Sequence, residues 1–395
     1  MTNKHMTTIR NLTALAFFIV MMSSYPAHAC LNDRDTLALE ARRKPEALAA
    51  ITGRFERNPP LYYQMRIARV QQDLQTHPDS LDEYDDIAVA CDRLGRDDEA
   101  IGWMERKRAH LTPLATADAA MKEQWYKYNA NIGTARIHRW LRGGGDQAKI
   151  AEVQKADDEI ARAIAIKPDA HFGREKYQLR IIEWILKSEN QLRSHLATAP
   201  LSVIDRDKNG NEDGEAAATG LAGLVTLGNA WESVDVFGAL GESLRHIEWG
   251  SEADANHLAG MAAARVAELR QDGKKSLFPE ANTVVASKPN PASAEDEAEF
   301  VKLRTEADQW QRARTDYMMA RLTAGRHPDT DPTFWADYHE AAPPVIPDPD
   351  AEKKKQREML KERVNAAIAL VLTAIIVFPI VIVWRVVREK YALQR

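Results

Sequence analysis

Residues 81–108 read LDEYDDIAVACDRLGRDDEAIGWMERKR. In the first half, apolar side chains recur every three or four positions, at Leu81, Tyr84, Ile87, Ala88, Cys91 and Leu94. This spacing puts them on one face of a helix, and Gly95 is the residue type that commonly ends one. A second amphipathic helix follows, with Ala100, Ile101 and Met104 on its apolar face. The stretch therefore predicts a helical hairpin.

The hairpin resembles a tetratricopeptide (TPR) repeat. The residues that match the family's bulky, small, turn-glycine, small and bulky positions are Tyr84, Ala88, Gly95, Ala100 and Met104. The resemblance implies stacking into a right-handed solenoid, because one hairpin cannot bury its apolar face alone. It places Cys91 between the helices as a small buried hydrophobe. Some TPR domains clamp a partner's terminal carboxylate with Lys and Asn, but Asp85 and Val89 hold those positions here.

Further hairpins are predicted around this one, so that residues 31–200 and 216–281 are assigned to helical repeats. Their apolar faces are defined by Ile132, Gly133, Ile137, Ala156, Ile160, Ala163, Leu221, Leu224, Val236, Leu240, Leu258, Met261, Ala262, Val266 and Leu269. The glycine loop 143–145 is longer than the TPR family allows. Because strand-like alternation is scarce, we predict an all-α fold, a TPR-like α-solenoid followed by one C-terminal transmembrane helix.

A long helix is predicted downstream of a linker. Residues 282–293 are rich in Pro, Ser and Ala and are assigned as the linker. Ser293 and Asp296 have the spacing of a capping box that opens a helix over residues 294–325. The apolar side of this helix carries Phe300, Leu303, Ala307, Trp310 and Tyr317. Arg314 interrupts that side, which favours packing on the repeats over a coiled-coil seam.

The two ends of the chain predict export and membrane anchoring. Residues 1–29 carry cationic, apolar and small-residue zones in the order of a secretory signal peptide. Residues 326–362 are assigned as a Pro-rich stalk and a basic juxtamembrane segment. Residues 364–386 are assigned as a transmembrane helix, because the run from Ala366 to Trp384 is apolar, uncharged and long enough to span a bilayer. Residues 387–395 form a short tail.

The signal peptide predicts a single-pass protein of the cell membrane, with an extracytoplasmic (periplasmic) main domain and a cytoplasmic tail. Basic residues flank both ends of the membrane segment, and counting them alone would favour a tail-anchored cytoplasmic protein. We give the signal precedence because it commits the chain to translocation first. Cys30 follows the cleavage site directly, so lipidation stays open, although Pro26, Ala27 and His28 fit a lipobox poorly.

A loop assigned to residues 201–215 has the composition of a calcium site. Its core, DRDKNGNEDGE, places an oxygen-bearing side chain at every second position, and Gly210 allows a sharp turn. It resembles EF-hand loops and, more closely, thrombospondin-type calcium repeats. By that resemblance the Ca²⁺ ligands are Asp205, Asp207, Asn209, Asn211, Asp213 and Glu215. Ala216 stands where an EF-hand has Glu, and the alternative is a solvated polar loop without metal.

Recognisable catalytic motifs are absent from the sequence of the exported part: H-E-x-x-H, G-x-S-x-G and S-x-x-K do not occur. The histidines at 138, 195, 246 and 257 are scattered singly and are assigned to packing or capping. An enzyme would have to use the polar cluster formed by His327, Asp329, Asp331, Asp337 and His339, which we assign as a solvated loop.

The sequence predicts a membrane-anchored, extracytoplasmic protein–protein interaction module without catalytic residues. Its partner is a protein of unknown identity, since a solenoid offers a surface for extended peptides. The mild net charge of −5, with no basic stripe, argues against nucleic-acid binding. The alternatives are an enzyme of unrecognised type and a tail-anchored cytoplasmic TPR adaptor.

Overall fold

The computed structural model describes residues 31–42, 46–168, 170–187, 205–206, 212–247, 252–277, 292–343 and Met359. The secondary structure of these residues is helical, apart from one antiparallel pair of two-residue strands. The predicted all-α class is confirmed. Within this described part, every helix is too short or too polar to cross a bilayer.

The α-helices are α1 Arg34–Arg42, α2 Ala47–Thr52, α3 Pro60–Thr76, α4 Leu81–Arg93, α5 Asp97–Arg108, α6 Ala119–Arg142, α7 Ile150–Ile166, α8 Arg174–Lys187, α9 Gly214–Thr226, α10 Val234–Arg245, α11 Glu252–Gln271 and α12 Ala294–Thr323. The strands are β1 Asp205–Arg206 and β2 Glu212–Asp213, and short 3-10 turns span Leu114–Thr116, Gln147–Lys149, Ala170–Gly173 and Ala230–Glu232. Each α-helix from α3 to α11 packs on the next described α-helix.

The α4–α5 hairpin forms where the sequence predicted it. Gly95 adopts a left-handed φ of 73°, and the Arg96 N–H donates to the Cys91 carbonyl at 2.9 Å, which is the Schellman ending of a helix. The apolar positions at the hairpin interface are buried, namely Tyr84, Ile87, Ala88, Cys91, Ala100 and Met104. The free Cys91 thiol has its pKa raised to about 12 by burial, so it behaves as the core hydrophobe we predicted.

Close helix packing recurs between α6 and α7. A Cβ on Gly133 would lie 3.0 Å from Ile160 Cδ1, so the glycine lets the two helices approach. Helix α8 likewise packs on α9, and α10 packs on α11. Taken two at a time in chain order from α4, the helices form successive contacting pairs, in which α4, α6 and α8 come first.

Helices from the two ends of the described chain contact each other. The short helix α2 contacts α9, α11 and α12, and α12 also contacts α3. The capping box predicted at Ser293 and Asp296 is confirmed, with both reciprocal hydrogen bonds present. Arg314 of α12 is buried and pairs with Glu56 at 2.9 Å, so this face of α12 packs on the folded body.

Residues 326–343 differ from the predicted stalk. They fold against α3 and α12, and the first of two compact units of the chain ends at Pro343. Phe334 is 1% exposed and belongs to a core cluster with Tyr62, Met318 and Leu322. The apolar side chains of this stretch, rather than its proline content, decide its structure, because their burial stabilises the folded form.

Several predicted segments lie outside the described residues. They are the signal peptide at 1–29, all but the last two residues of the linker 282–293, most of the juxtamembrane segment, the transmembrane helix 364–386 and the tail 387–395. These assignments stay predictions.

Candidate functional site

The described residues between 31 and 58, called the N-terminal segment, pack against the helices. Leu31, Asn32 and Asp33 are 1%, 0% and 4% exposed. The helices that hold its first residues, 31–34, are α4, α6 and α8. We call the surface they form the groove. It is occupied by the protein's own chain.

Asn131 of α6 holds the segment by its main chain. The Asn32 N–H donates to Asn131 Oδ1 at 2.7 Å, and Asn131 Nδ2 donates back to the Asn32 carbonyl at 3.0 Å. Both bonds are buried, where an unmade hydrogen bond is costly. The two bonds of this amide clamp are made to the main chain of Asn32 and not to its side chain.

Asp85 fixes the orientation of the clamp. The second N–H of Asn131 Nδ2 donates to Asp85 Oδ1 at 3.0 Å, so the amide oxygen must face the Asn32 N–H. Lys107 Nζ in turn donates to Asp85 Oδ2 at 2.5 Å. Burial raises the pKa of Asp85 to about 6, against the opposing charge of Lys107. The Asp85 that departs from the TPR carboxylate clamp is thus a positioning group.

A second amide clamp lies at the other end of the segment. The Arg57 N–H donates to Gln311 Oε1 at 3.2 Å, and Gln311 Nε2 donates to the Arg57 carbonyl at 2.8 Å. On either side of Asn32, Asp86 accepts from the Arg34 N–H at 3.0 Å, and Arg174 Nη2 donates to the Leu31 carbonyl at 3.1 Å. The groove therefore binds the main chain of residues 31–34 through Arg174, Asn131 and Asp86, and α12 binds the main chain of Arg57.

Arg66 of α3 joins the segment to the C-terminal stretch. Its side chain is fully buried and pairs with Asp33 at 3.2 Å, Asp35 at 2.9 Å and Asp329 at 2.6 Å. The Tyr62 hydroxyl also contacts the guanidinium. A buried cation is tolerated only when it is paired, and here three carboxylates share one guanidinium.

The polar cluster predicted as a solvated loop is partly buried instead. Burial would raise the pKa of Asp329, but hydrogen bonds from Arg66 and its charge lower it to about 2. His327 Nδ1 accepts the Asp329 N–H at 3.1 Å, so the ring proton is on Nε2, which donates to the Tyr62 carbonyl at 3.0 Å. Both nitrogens of His327 are committed to structure. Asp337 and His339 are exposed, as predicted.

The charge of Asp33 predicts a pH dependence. Burial, with the nearby charge of Asp35, raises the pKa of Asp33 to about 6. A pKa raised by folding stabilises the fold at low pH, and that stabilisation is lost as pH rises through 6. The free energy of unfolding of the wild type, relative to Asp33→Asn, should therefore fall between pH 5 and pH 7, measured by denaturant titration.

Asp329→Asn provides the matched control for this pH dependence, because Asp329 shares the same arginine. The pKa of Asp329 is lowered to about 2, so its stabilisation is lost only below about pH 4. The difference in free energy of unfolding between the wild type and Asp329→Asn should stay constant from pH 5 to pH 7. A level difference for Asp33→Asn as well would contradict the prediction.

The predicted calcium ligands are only partly placed. The β1–β2 ladder pairs Asp205 with Asp213, which brings the two ends of the loop together. Asp213 caps α9 by accepting the Ala216 N–H at 2.9 Å, and Glu215 is exposed in the first turn. The positions of Asp207, Asn209 and Asn211 lie outside the described residues. The Ca²⁺ site stays a prediction.

A different group of ligand-type residues was not predicted from the sequence. One donor atom each from Asp92, Asp97 and His138 lies within 4.8 Å of the others, and all three residues are buried. His138 Nδ1 is hydrogen-bonded to Asp92. Two carboxylates and an imidazole form a donor set that suits several divalent metals, so the group could hold a metal. Nothing in the set is specific for Ca²⁺.

The neighbours of this group favour an ion-pair network over a metal. Arg142 contacts Asp97, and its Nη1 lies 3.4 Å from Asp92 Oδ1. Asn229 Nδ2 donates to the second Asp92 oxygen at 3.0 Å. The guanidinium already supplies the positive charge that a metal would bring, and it would repel one. We therefore assign the group to joining α4, α5 and α6.

The other predicted histidines have ordinary roles or are not placed. His246, directly after α10, lies 3.2 Å from Glu242 of α10, and His257 of α11 lies 2.6 Å from Asp296 of α12. His195 lies outside the described residues. The prediction that such histidines pack or cap is consistent with these contacts. For His138 it missed the buried carboxylate partner.

Comparison with protein-family models, with curated proteins and with solved structures finds no match for this chain. A functional conclusion therefore depends on the chemistry of the groove and of the clusters described above.

Proposed function

We propose that this chain is a membrane-anchored, extracytoplasmic protein–protein interaction module, whose TPR-like helical array binds an extended segment of a partner protein. The observation that carries the proposal is the Asn131 clamp, with two buried hydrogen bonds to the main chain of Asn32. A groove that recognises backbone at this point is suited to an extended peptide.

The repeating use of first helices supports the comparison with a solenoid. Asp86 on α4, Asn131 on α6 and Arg174 on α8 each bond to the main chain of the N-terminal segment. In stacked helical pairs, the first helices line one continuous surface. The segment of the chain itself then occupies the place that we propose for the partner.

Membrane anchoring and export are proposed from the sequence. The apolar run within 364–386 and the three-zone N-terminus at 1–29 are the features that support them. A reporter fused after Arg395 should behave as cytoplasmic, and the reverse result would favour the tail-anchored alternative.

An enzyme is the weaker alternative. The polar cluster that would have to supply its acid and base is used for internal contacts: Asp329 pairs with Arg66, and both His327 nitrogens bond to the main chain. A general base needs a free nitrogen or carboxylate facing a substrate. His327 and Asp329 are therefore not free to act as one.

The proposal predicts opposite effects for two substitutions. Asn32→Pro removes the N–H that Asn131 binds, and so weakens the binding of the N-terminal segment to the groove. Asn131→Leu removes the clamp itself. One lost hydrogen bond is worth about 1 kcal/mol, or roughly fivefold in affinity. Asn32→Pro should increase partner capture about fivefold, and Asn131→Leu should decrease it. Capture is measured by crosslinking full-length protein in membranes and quantifying the joined proteins by mass spectrometry.

Melting curves of both variants control for loss of the fold. Gln147→Leu is a matched amide substitution in the turn before α7, away from the clamps, and should leave capture unchanged. Equal capture by Asn32→Pro, Asn131→Leu and wild type would remove the groove from partner binding and would refute the proposal in this form.

A further inference from the structure

Three arginines from separate elements converge on the indole of Trp231. The guanidinium carbons of Arg265, Arg57 and Arg304 lie 3.9, 4.8 and 5.0 Å from a ring centroid of this tryptophan. Arg57 belongs to the N-terminal segment, Arg265 to α11 and Arg304 to α12. Like charges brought together in this way repel one another, and cation–π attraction offsets only part of the repulsion.

The carboxylates around this cluster do not balance it. Glu268 contacts Arg265 and lies 3.3 Å from Arg304, and Asp308 contacts Arg304. The nearby Glu232 is already paired with Lys274 at 2.6 Å. Three guanidinium groups therefore share two carboxylates, which leaves one positive charge in excess.

Arg57 carries the excess charge. Its guanidinium makes one hydrogen bond within the described residues, from Nη1 to the Gly53 carbonyl at 2.9 Å, and no described carboxylate lies within ion-pair distance of it. Burial, together with the charge of Arg304, lowers the pKa of Arg57 to about 10. Since a guanidinium has five N–H donors, most of those on Arg57 are available to a ligand.

Two further features suit a ligand at this position. Arg265 is 3% exposed, and its Nε is buried without a hydrogen-bond partner among the described residues. The Arg304, Glu268 and Asp308 side chains are 17%, 30% and 38% exposed, so solvent reaches one side of the cluster. The cluster combines spare donors, excess positive charge and access.

We propose that the arginines around Trp231 form a binding site for a small oxyanion, namely a carboxylate or phosphate group. Arg57 supplies the N–H donors that the anion accepts, and Arg265 and Arg304 supply the surrounding positive charge. Charge-assisted hydrogen bonds from guanidinium groups are the strong form of this recognition. The site is separate from the Asn131 clamp, and its test needs no protein partner.

The test is calorimetric titration of the full-length chain in detergent with sodium phosphate and, separately, with sodium acetate, at constant ionic strength with chloride as the balancing anion. Saturable binding of either anion is expected in the wild type, and tighter binding identifies the phosphate or the carboxylate as the natural group. A charge-assisted bond is worth about 1.5–3 kcal/mol, so Arg57→Gln should weaken binding roughly tenfold to a hundredfold.

Arg106→Gln is the matched control, because Arg106 stacks on Trp103 at 4.2 Å without a converging cluster. It should leave anion binding unchanged. In chloride alone, Arg57→Gln should melt at the wild-type temperature or higher, since it relieves repulsion, whereas a purely structural arginine would lower it. The proposal would be overturned if the wild type showed no saturable binding, or if Arg57→Gln bound the anion as tightly as the wild type. The wild-type titration remains a test even if the variant misfolds.

Discussion

Replacing Arg66 by Met should lower the free energy of unfolding by about 3–5 kcal/mol. The guanidinium is fully buried, and its removal leaves Asp33, which is 4% exposed, without the cation that it pairs with. Asp329, which is about 3% exposed, keeps only the more exposed Arg69 and Arg34. Methionine fills a similar volume, so the loss measures uncompensated buried charge rather than a cavity. Denaturant titration of the full-length protein gives this value.

The loss of stability in Arg66→Met should be concentrated in the two stretches that Arg66 joins. Arg66 connects residues near 33 to residues near 329, so hydrogen exchange should accelerate in both stretches together. Arg96→Met removes an exposed pair with Glu99 and should cost at most about 1 kcal/mol. If Arg66→Met costs no more than Arg96→Met, the three-carboxylate network does not hold these segments.

The helical hairpins could be predicted because their signals are local. Apolar spacing in residues 81–108 fixed which face is buried, and Gly95 fixed where the turn falls. The capping box at Ser293 is likewise a contact between residues three positions apart. Such features depend on a few neighbouring residues, and a single sequence contains them.

The groove could not be predicted in the same way. Asn32 and Asn131 are 99 residues apart, and Arg66 and Asp329 are 263 apart. Nothing in the local pattern says which polar residue meets which. One signal was present but weak: Asp85 and Asp86 directly precede the buried Ile87 in a helix whose burial extends beyond one apolar stripe. Buried polar residues must have partners, so such positions indicate a polar interior surface.

The same limit explains the reassignment of residues 326–343. Prolines and aspartates on that stretch predicted a solvated stalk, but the carboxylate of Asp329 meets Arg66 and Phe334 enters a cluster with Tyr62. Carboxylates are usually exposed unless a buried cation pairs with them. That cation lies on α3, and only the folded chain brings it near.

The pair formed by Lys107 and Asp85 provides the second large effect. Both side chains are buried, at 0% and about 2% exposed, and lie 2.5 Å apart. Lys107→Met should cost about 3–5 kcal/mol, because it leaves the Asp85 carboxylate buried and unpaired. Asp85→Leu should cost a similar amount, because it leaves the Lys107 ammonium group buried and unpaired. Thermal and denaturant unfolding of the full-length protein measure both losses.

The double variant Asp85→Leu with Lys107→Met should be considerably more stable than either single variant. Removing both charges abolishes the desolvation penalty as well as the attraction, so a buried pair can often be replaced by apolar side chains at little cost. Asp85 also orients Asn131, so the double variant should recover stability while the amide clamp is left without its positioning acceptor. Additive losses in the double variant would contradict this account, because they would mean that the two charges do not depend on each other. Recovered stability with reduced partner capture would instead separate the fold from the recognition chemistry of the groove.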